Sequence, residues 1–270
     1  MIRTLLLVSG AWCVVRSGSA QEPPRTTHYA PSREVLLATT TSLYETGLID
    51  TLVILFERQT GYHLRAVAVG SGQALRMAER GDADVVFAHS PAAEEEFMRA
   101  GHGTRRRLVA TNYFTVLGPA DDPARVREAA DAAEALRRIA AAGAVFVSRG
   151  DSSGTHAREL GLWRGGGEQP AWRGYLETGQ GMSATILVAN ERRGYTLSDR
   201  SSFGKLERRV DLVPLREREP GLLNTYHVIE VNPAGRPRTN AAGARAFADF
   251  IVSEPVQQLL GIYGFSPAGR

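Results

Sequence analysis

Three times in this chain a short strand-patterned run breaks into a loop rich in serine, threonine and glycine, and then into a helix-patterned segment. Glu34–Ala38 leads into Thr39–Ser42, His63–Val69 into Gly70-Ser71-Gly72, and Ala144–Val147 into Ser148–Thr155. Strands followed by helices at this spacing build βαβ units, so the chain is constrained to an α/β fold with a mainly parallel sheet. The loops then lie at the carboxyl ends of strands, the edge where open α/β sheets bind ligands. Each offers hydroxyls and unpaired backbone N–H groups at the positive end of a helix, which suits a compact anion. Singly, such loops are ordinary caps and turns. Three in one chain favour an anion site.

The third stretch, FVSRGDSSGTH at Phe146–His156, carries the most chemistry. Arg149 supplies a permanent charge on a forked set of donors. Asp151 is the single acid of the loop, and two roles are open to it. It either faces a ligand, as a partly protonated phosphate would favour, or turns away to orient Arg149 or cap the helix. The second is the expectation.

The pattern predicts a helix over Gly47–Thr60 closed by Gly61, a helix from the second loop to Arg80, and a strand at Val85–Ala88. An acidic-fronted helix over Ala92–Ala100 is followed by a basic loop, Gly101–Arg107, and by strands at Leu108–Ala110 and Tyr113–Gly118. Arg125–Ala142 reads as one helix, as does Gly181–Arg193; Leu212–Leu215 and Asn224–Val231 read as strands, and two helices close the chain. If Tyr113–Gly118 and Asn224–Val231 are crossings, residues 34–117 with 225–270 form one lobe and 118–224 a second, with a ligand cleft between them.

Met1–Ala20 has the pattern of a signal peptide: Arg3, an apolar stretch from Leu5 to Val15, then small residues before Gln21. Residues 21–33 read as a loose leader. Cys13, the sole cysteine, falls within the signal, so no disulfide, thiolate metal site or thiol nucleophile is expected after its removal. Without Arg3 and Arg16 the basic count drops to 30 against 29 acids, which argues against nucleic acid as a partner. The six histidines show no paired ligand spacing, so no metal site is expected. Arg105-Arg106-Arg107 and Arg208-Arg209 read as solvated faces.

Several segments occur in a telling order: ATTTS at Ala38–Ser42, VGSGQAL at Val69–Leu75, GDADV at Gly81–Val85, HSPAAE at His89–Glu94, and Ser148–His156. YTLSDR at Tyr195–Arg200 fits the same series. Together they resemble the periplasmic tungstate-binding component of ABC-type tungstate importers. The resemblance implies a two-lobe type II periplasmic binding protein fold that closes on an oxyanion, tungstate or molybdate, with no further cofactor. It implies ligand contacts from Thr40, Thr41 and Ser42, from Ser71 and Gly72, and from Arg149 with Ser152, Ser153 and Thr155. It also implies a periplasmic monomer that serves a membrane permease and its ATPase. The chain departs from relatives after Ser42, where Tyr44 and Glu45 replace smaller polar residues near the mouth of the site.

The chemistry agrees with that resemblance, because a dianion such as tungstate accepts hydrogen bonds and donates none, so its site needs donors only. A phosphate- or sulfate-type oxyanion is the alternative ligand. A serine hydrolase built on Ser152 or Ser153, His156 and Asp199 is the alternative from another class. A Ser–His pair three residues apart is poorly placed for it, and no nucleophile-elbow motif is present. The chain therefore reads as a binding protein and not an enzyme.

Overall fold

In the computed structural model of this protein, residues 33–165 and 170–268 are described. The expected signal, Cys13, His28 and the leader up to residue 32 lie outside them. Among the described residues no helix is long and apolar enough to cross a membrane.

The chain begins with strand β1 (Glu34–Thr40), a one-turn helix α1 (Thr41–Glu45) and α2 (Leu48–Thr60). Strand β2 (His63–Val69), α3 (Ser71–Arg80), β3 (Val85–Ala88) and α4 (Pro91–Arg99) follow. A long strand β4 (Gly103–Gly118) leads to α5 (Ala132–Ala141), β5 (Phe146–Ser148), α6 (Gly154–Gly165) and β6 (Tyr175–Glu177). Next come α7 (Met182–Glu191), β7 (Thr196–Asp199), α8 (Arg200–Leu206) and β8 (Val213–Glu217). Strand β9 (Leu223–Val231), α9 (Ala241–Ile251), α10 (Glu254–Ile262) and a short β10 (Ser266–Pro267) close the chain.

The main sheet has the order β10-β4-β9-β3-β1-β2, and β7 and β8 pair with the far half of β4. The expected parallel pairing holds where helices join the strands: β1 with β2, β1 with β3, and β5 with β6. Elsewhere it does not. β9 runs antiparallel to β3 and β4, and β4 runs antiparallel to β7 and β8, so the whole is mixed. The physical reason is that parallel neighbours need a crossover connection, whereas β4 and β9 pass in opposite directions along one track.

The hydrophobic cores separate along β4, whose Val109 and Ala110 belong to one and whose Phe114 and Val116 belong to the other. Phe56, Phe87, Val109, Tyr226 and Phe247 belong to a core built from both ends of the chain, and the Ala38–Ile229 cluster extends it on the other sheet face. Phe114, Val116, Leu136, Phe146, Trp163 and Tyr195 belong to a second core from the middle of the chain, extended by Val147, Ile186 and Phe203. Each core defines a lobe.

Two expectations fail locally. The predicted Gly101–Arg107 loop with two short strands is one 16-residue strand, β4. Its basic run is not simply solvated: Arg106 pairs with buried Glu94 at 2.8 Å, Arg107 with Asp249 at 2.8 Å, and Arg105 with Glu230 at 3.5 Å. Neutralisation by acids on other elements allows three arginines in a row to sit on a paired strand. The predicted Arg125–Ala142 helix is broken into a single 3-10 turn, Val126–Glu128, and α5. The break is made by capping at Asp131, which accepts from Glu134 N at 2.7 Å, while Glu134 reaches back past the cap to accept from Ala130 N at 2.7 Å.

Candidate functional site

The first loop delivers its residues through a strand end that becomes a helix at once. Thr40 closes β1 and caps α1, its Oγ1 accepting from Leu43 N at 3.3 Å and lying 3.2 Å from Ser42 Oγ. Both Thr40 and Ser42 are buried. The second loop places Ser71 at the first position of α3, a helix whose cap residue, Gly70, supplies no side-chain hydrogen bond. Ser71 is buried, and its Oγ has no hydrogen-bond partner among the described residues.

The third loop is held from beneath by a buried acid. Glu159 of α6 accepts from Ser148 Oγ at 2.7 Å, from Tyr175 Oη at 2.7 Å and from Trp163 Nε1 at 3.2 Å. Burial pushes the Glu159 carboxyl upward, and these three donors partly oppose the shift. Positive φ values at Gly150 and Ser152, both +59°, then fold the chain back over the strand end. At Gly150 a side chain would lie 2.8 Å from Glu177 Cβ, so glycine is required on steric grounds as well.

Arg149, only 2% exposed, is gripped on several sides. Its Nη2 is paired with Asp151 Oδ2 and donates to Thr41 Oγ1 at 3.2 Å, while Nε donates to the Gln180 carbonyl at 3.2 Å. Asp151 also accepts from Ser153 N at 3.1 Å. The acid of the loop therefore turns toward the arginine and the turn, as expected. The remaining guanidinium nitrogen, Nη1, is buried with no partner among the described residues, and Thr155 Oγ1 is in the same condition.

The three loops meet across the seam between the lobes. Besides the Thr41–Arg149 bond, a side chain at Gly70 would lie 3.3 Å from the Ser152 carbonyl, and one at Gly154 would lie 2.8 Å from His89 Cε1. Gly72 stands beside the same Ser152 carbonyl, at 3.8 Å from where its own Cβ would be. Thr40, Thr41, Ser42, Ser71, Gly72, Arg149, Ser153 and Thr155 are thus brought to one seam. Ser152 is not brought in by its side chain, which is exposed; it contributes its backbone at a positive φ. Ser153 serves as a helix cap, its Oγ accepting from His156 N at 3.2 Å.

Sequence reasoning missed a buried polar chain behind Ser42. His89 Nε2 lies 3.2 Å from Ser42 Oγ, and His89 Nδ1 lies 3.1 Å from Asn224 Oδ1. Asn224 Nδ2 donates to Asn112 Oδ1 at 2.9 Å and to Tyr226 Oη at 2.8 Å, and Asn112 Nδ2 donates to Ser201 Oγ at 2.9 Å. The His89 ring stacks on Tyr226 at 4.8 Å. Burial pushes the His89 pKa down, against the pull of Asp199 and Glu94, so the ring is kept neutral. The hydrolase constellation does not assemble: His156 Nδ1 accepts from Ser152 N at 3.1 Å, and Asp199 caps Ser202 N at 2.9 Å. No cluster of metal-ligating side chains occurs among the described residues.

Chemically, the seam is a set of donors around a buried guanidinium, with helices α3 and α6 starting on either side. Such a set matches an anion whose oxygens only accept. A family described as a PBP superfamily domain matches residues 19–255. The tungstate-binding protein TupA of Peptoclostridium acidaminophilum is 43% identical over 232 residues, 85% of this chain and 81% of that protein. The chain belongs to this family of the PBP superfamily. Solved structures of the family share its fold. TupA of Desulfovibrio alaskensis G20 superposes with a TM-score of 0.74 at 41% identity, covering 89% of this chain and 100% of that one. A Geobacter sulfurreducens structure described as a tungstate ABC transporter gives 0.75 at 40% identity, covering 85% and 98%. The two-lobe arrangement is that of the type II periplasmic binding proteins.

Proposed function

We propose that this chain is the solute-binding component of an ABC-type tungstate importer. It captures tungstate, or the closely similar molybdate, between its lobes and delivers it to a permease driven by a separate ATPase. Thr40, Thr41, Ser42, Ser71, Gly72, Arg149, Ser153 and Thr155 hold the anion, with the Ser152 backbone completing the turn. The observation that carries the reading is the buried Arg149 at the lobe seam, with Nη1, Ser71 Oγ and Thr155 Oγ1 all lacking partners among the described residues. Buried polar groups are normally hydrogen-bonded, and a tetrahedral oxyanion supplies the acceptors these lack.

The Asp151 geometry favours an aprotic dianion over phosphate. Its two oxygens are engaged by Arg149 and Ser153 N, which leaves the loop without a carboxylate committed to a ligand proton. The Arg149–Asp151 pair is nearly neutral as a unit, so dipoles and hydroxyls carry much of the stabilisation. Export by the Met1–Ala20 segment, periplasmic location, a monomeric state and the absence of any cofactor or catalysis complete the proposal.

A competition titration of the processed protein with tungstate, molybdate, sulfate and phosphate tests it. Tungstate and molybdate are expected to bind far more tightly than the other two, and Arg149→Ala to weaken them about a hundredfold or more with the fold intact. Wild-type affinity in that variant, or preference for phosphate, would overturn the assignment.

A further inference from the structure

A contact at the rim of the seam has no place in the anion site itself. Glu45, the last residue of α1 in the first lobe, reaches the start of α7 in the second. Its Oε2 accepts from Ser183 Oγ at 2.8 Å and from Ser183 N at 3.3 Å. These are the hydrogen bonds of its carboxylate among the described residues.

The α7 side is arranged to receive it. The cap residue of α7, Gly181, gives no side-chain hydrogen bond, and the first turn contains no acid. The ten-residue helix therefore lacks a capping carboxylate of its own, and the charge that complements its positive end comes from the other lobe. Gly181 makes the approach feasible: a Cβ there would lie 2.3 Å from Glu45 Oε1. A larger residue at this position would displace the carboxylate and break its contact with α7.

The contact is also wired to the anion anchor at both ends. Thr41, at the other end of the same helical turn, accepts from Arg149 Nη2 at 3.2 Å. Gln180, next to Gly181, accepts from Arg149 Nε at 3.2 Å, and Gly179 N donates to the Arg149 carbonyl at 2.8 Å. One turn of helix in the first lobe thus touches both Arg149 and the helix start that Arg149 grips.

We infer that Glu45 is a positioning residue that latches the lobes shut by capping α7 from the opposite lobe, and so sets how long a bound oxyanion is retained. The inference rests on the oxyanion-binding reading above. Glu45 is exposed, so the latch is worth a modest factor; it favours the closed arrangement of the lobes with or without an anion, and a bound anion therefore feels it mainly on release.

Two measurements test it. In stopped-flow binding of sodium tungstate, Glu45→Ala and Glu45→Gln are expected to raise the dissociation rate about three- to tenfold and leave the association rate within about twofold. Ser183→Ala added to Glu45→Ala is expected to cause little further change, since both remove one interaction. Independently of any ligand, spin labels at Gln59→Cys and Glu191→Cys of the processed protein report the distance between lobes. Glu45→Ala is expected to shift the ligand-free distances toward longer values, and Gly181→Ala to do the same. Unchanged distances in both variants would overturn the latch whether or not tungstate binds. Unchanged dissociation in a wild type that does bind tungstate would overturn its effect on retention. A wild type that fails to bind tungstate would instead sink the transport reading, and the label distances would still decide on the latch.

Discussion

Arg149 is the residue on which charge, geometry and burial coincide. Its Nε and Nη2 face protein acceptors and its Nη1 faces none among the described residues, an arrangement suited to a planar fork. Arg149→Lys keeps the charge but loses the Gln180 and Thr41 contacts together, and calorimetry is expected to show tungstate binding weakened at least tenfold. His89 makes a different claim, on pH. Its pKa is lowered in the folded chain, chiefly by burial, while the unfolded chain protonates near the ordinary imidazole value. Its contribution to stability is therefore full above about pH 6.5 and declines as the pH falls toward the lowered folded value. Glu159 runs the other way, since its raised carboxyl gains stability as the pH falls from neutrality. The comparison of wild type with His89→Gln in denaturant titrations from pH 8 to 5 isolates the histidine: the variant is expected to lose the decline. Arg149 was legible as a candidate because its turn is one of three strand-to-helix loops of the same design, and it is the arginine among them. His89 was not, because its partners Ser42 and Asn224 stand 47 and 135 positions away.

At the scale of elements, the helix-linked strands of the first lobe were readable because each carries a local signal. Gly61 and Gly81, both in the left-handed region, end α2 and α3 where the apolar stripes end. Strand β4 was obscured because its pairing depends on acids contributed by α4, β9 and α9, which no window of sequence reveals. β6 and α8 passed unnoticed because three strand residues and seven helical ones carry too little periodicity to stand out. The junction of α6 with the first lobe makes a sharp demand. Gly154→Ala would drive a methyl to 2.8 Å from His89 Cε1 and 2.9 Å from the His89 carbonyl, so the lobes would have to part. Tungstate affinity is expected to drop at least tenfold while the ligand-free melting temperature moves by only a few degrees. The Asn112–Asn224 pair joining β4 to β9 makes another. Asn112→Leu leaves Asn224 and Ser201 short of partners and is expected to cost about 1–3 kcal/mol in chemical denaturation.

For the whole molecule, the two hydrophobic cores share strand β4, which gives Val109 to one and Phe114 and Val116 to the other, and heat unfolding is expected to be a single transition in calorimetry rather than two. A hundredfold excess of tungstate over its Kd should add about 2.7 kcal/mol, raising Tm by roughly 5–10 °C. The shared strand also determines what kind of motion opens the site. β4 exchanges partners between Tyr113, paired with β9, and Phe114, paired with β7, without a break in the chain. Register shifts at Leu108/Ala110 and Val116/Leu117 bracket that point, and such irregularities add local twist. No loop separates the lobes along this path to act as a free joint. Any opening would therefore twist β4 at this crossing, while the return path, through the 3-10 turn Pro220–Leu222 into β9, has a bend that can yield, so the two crossings are unequal in stiffness.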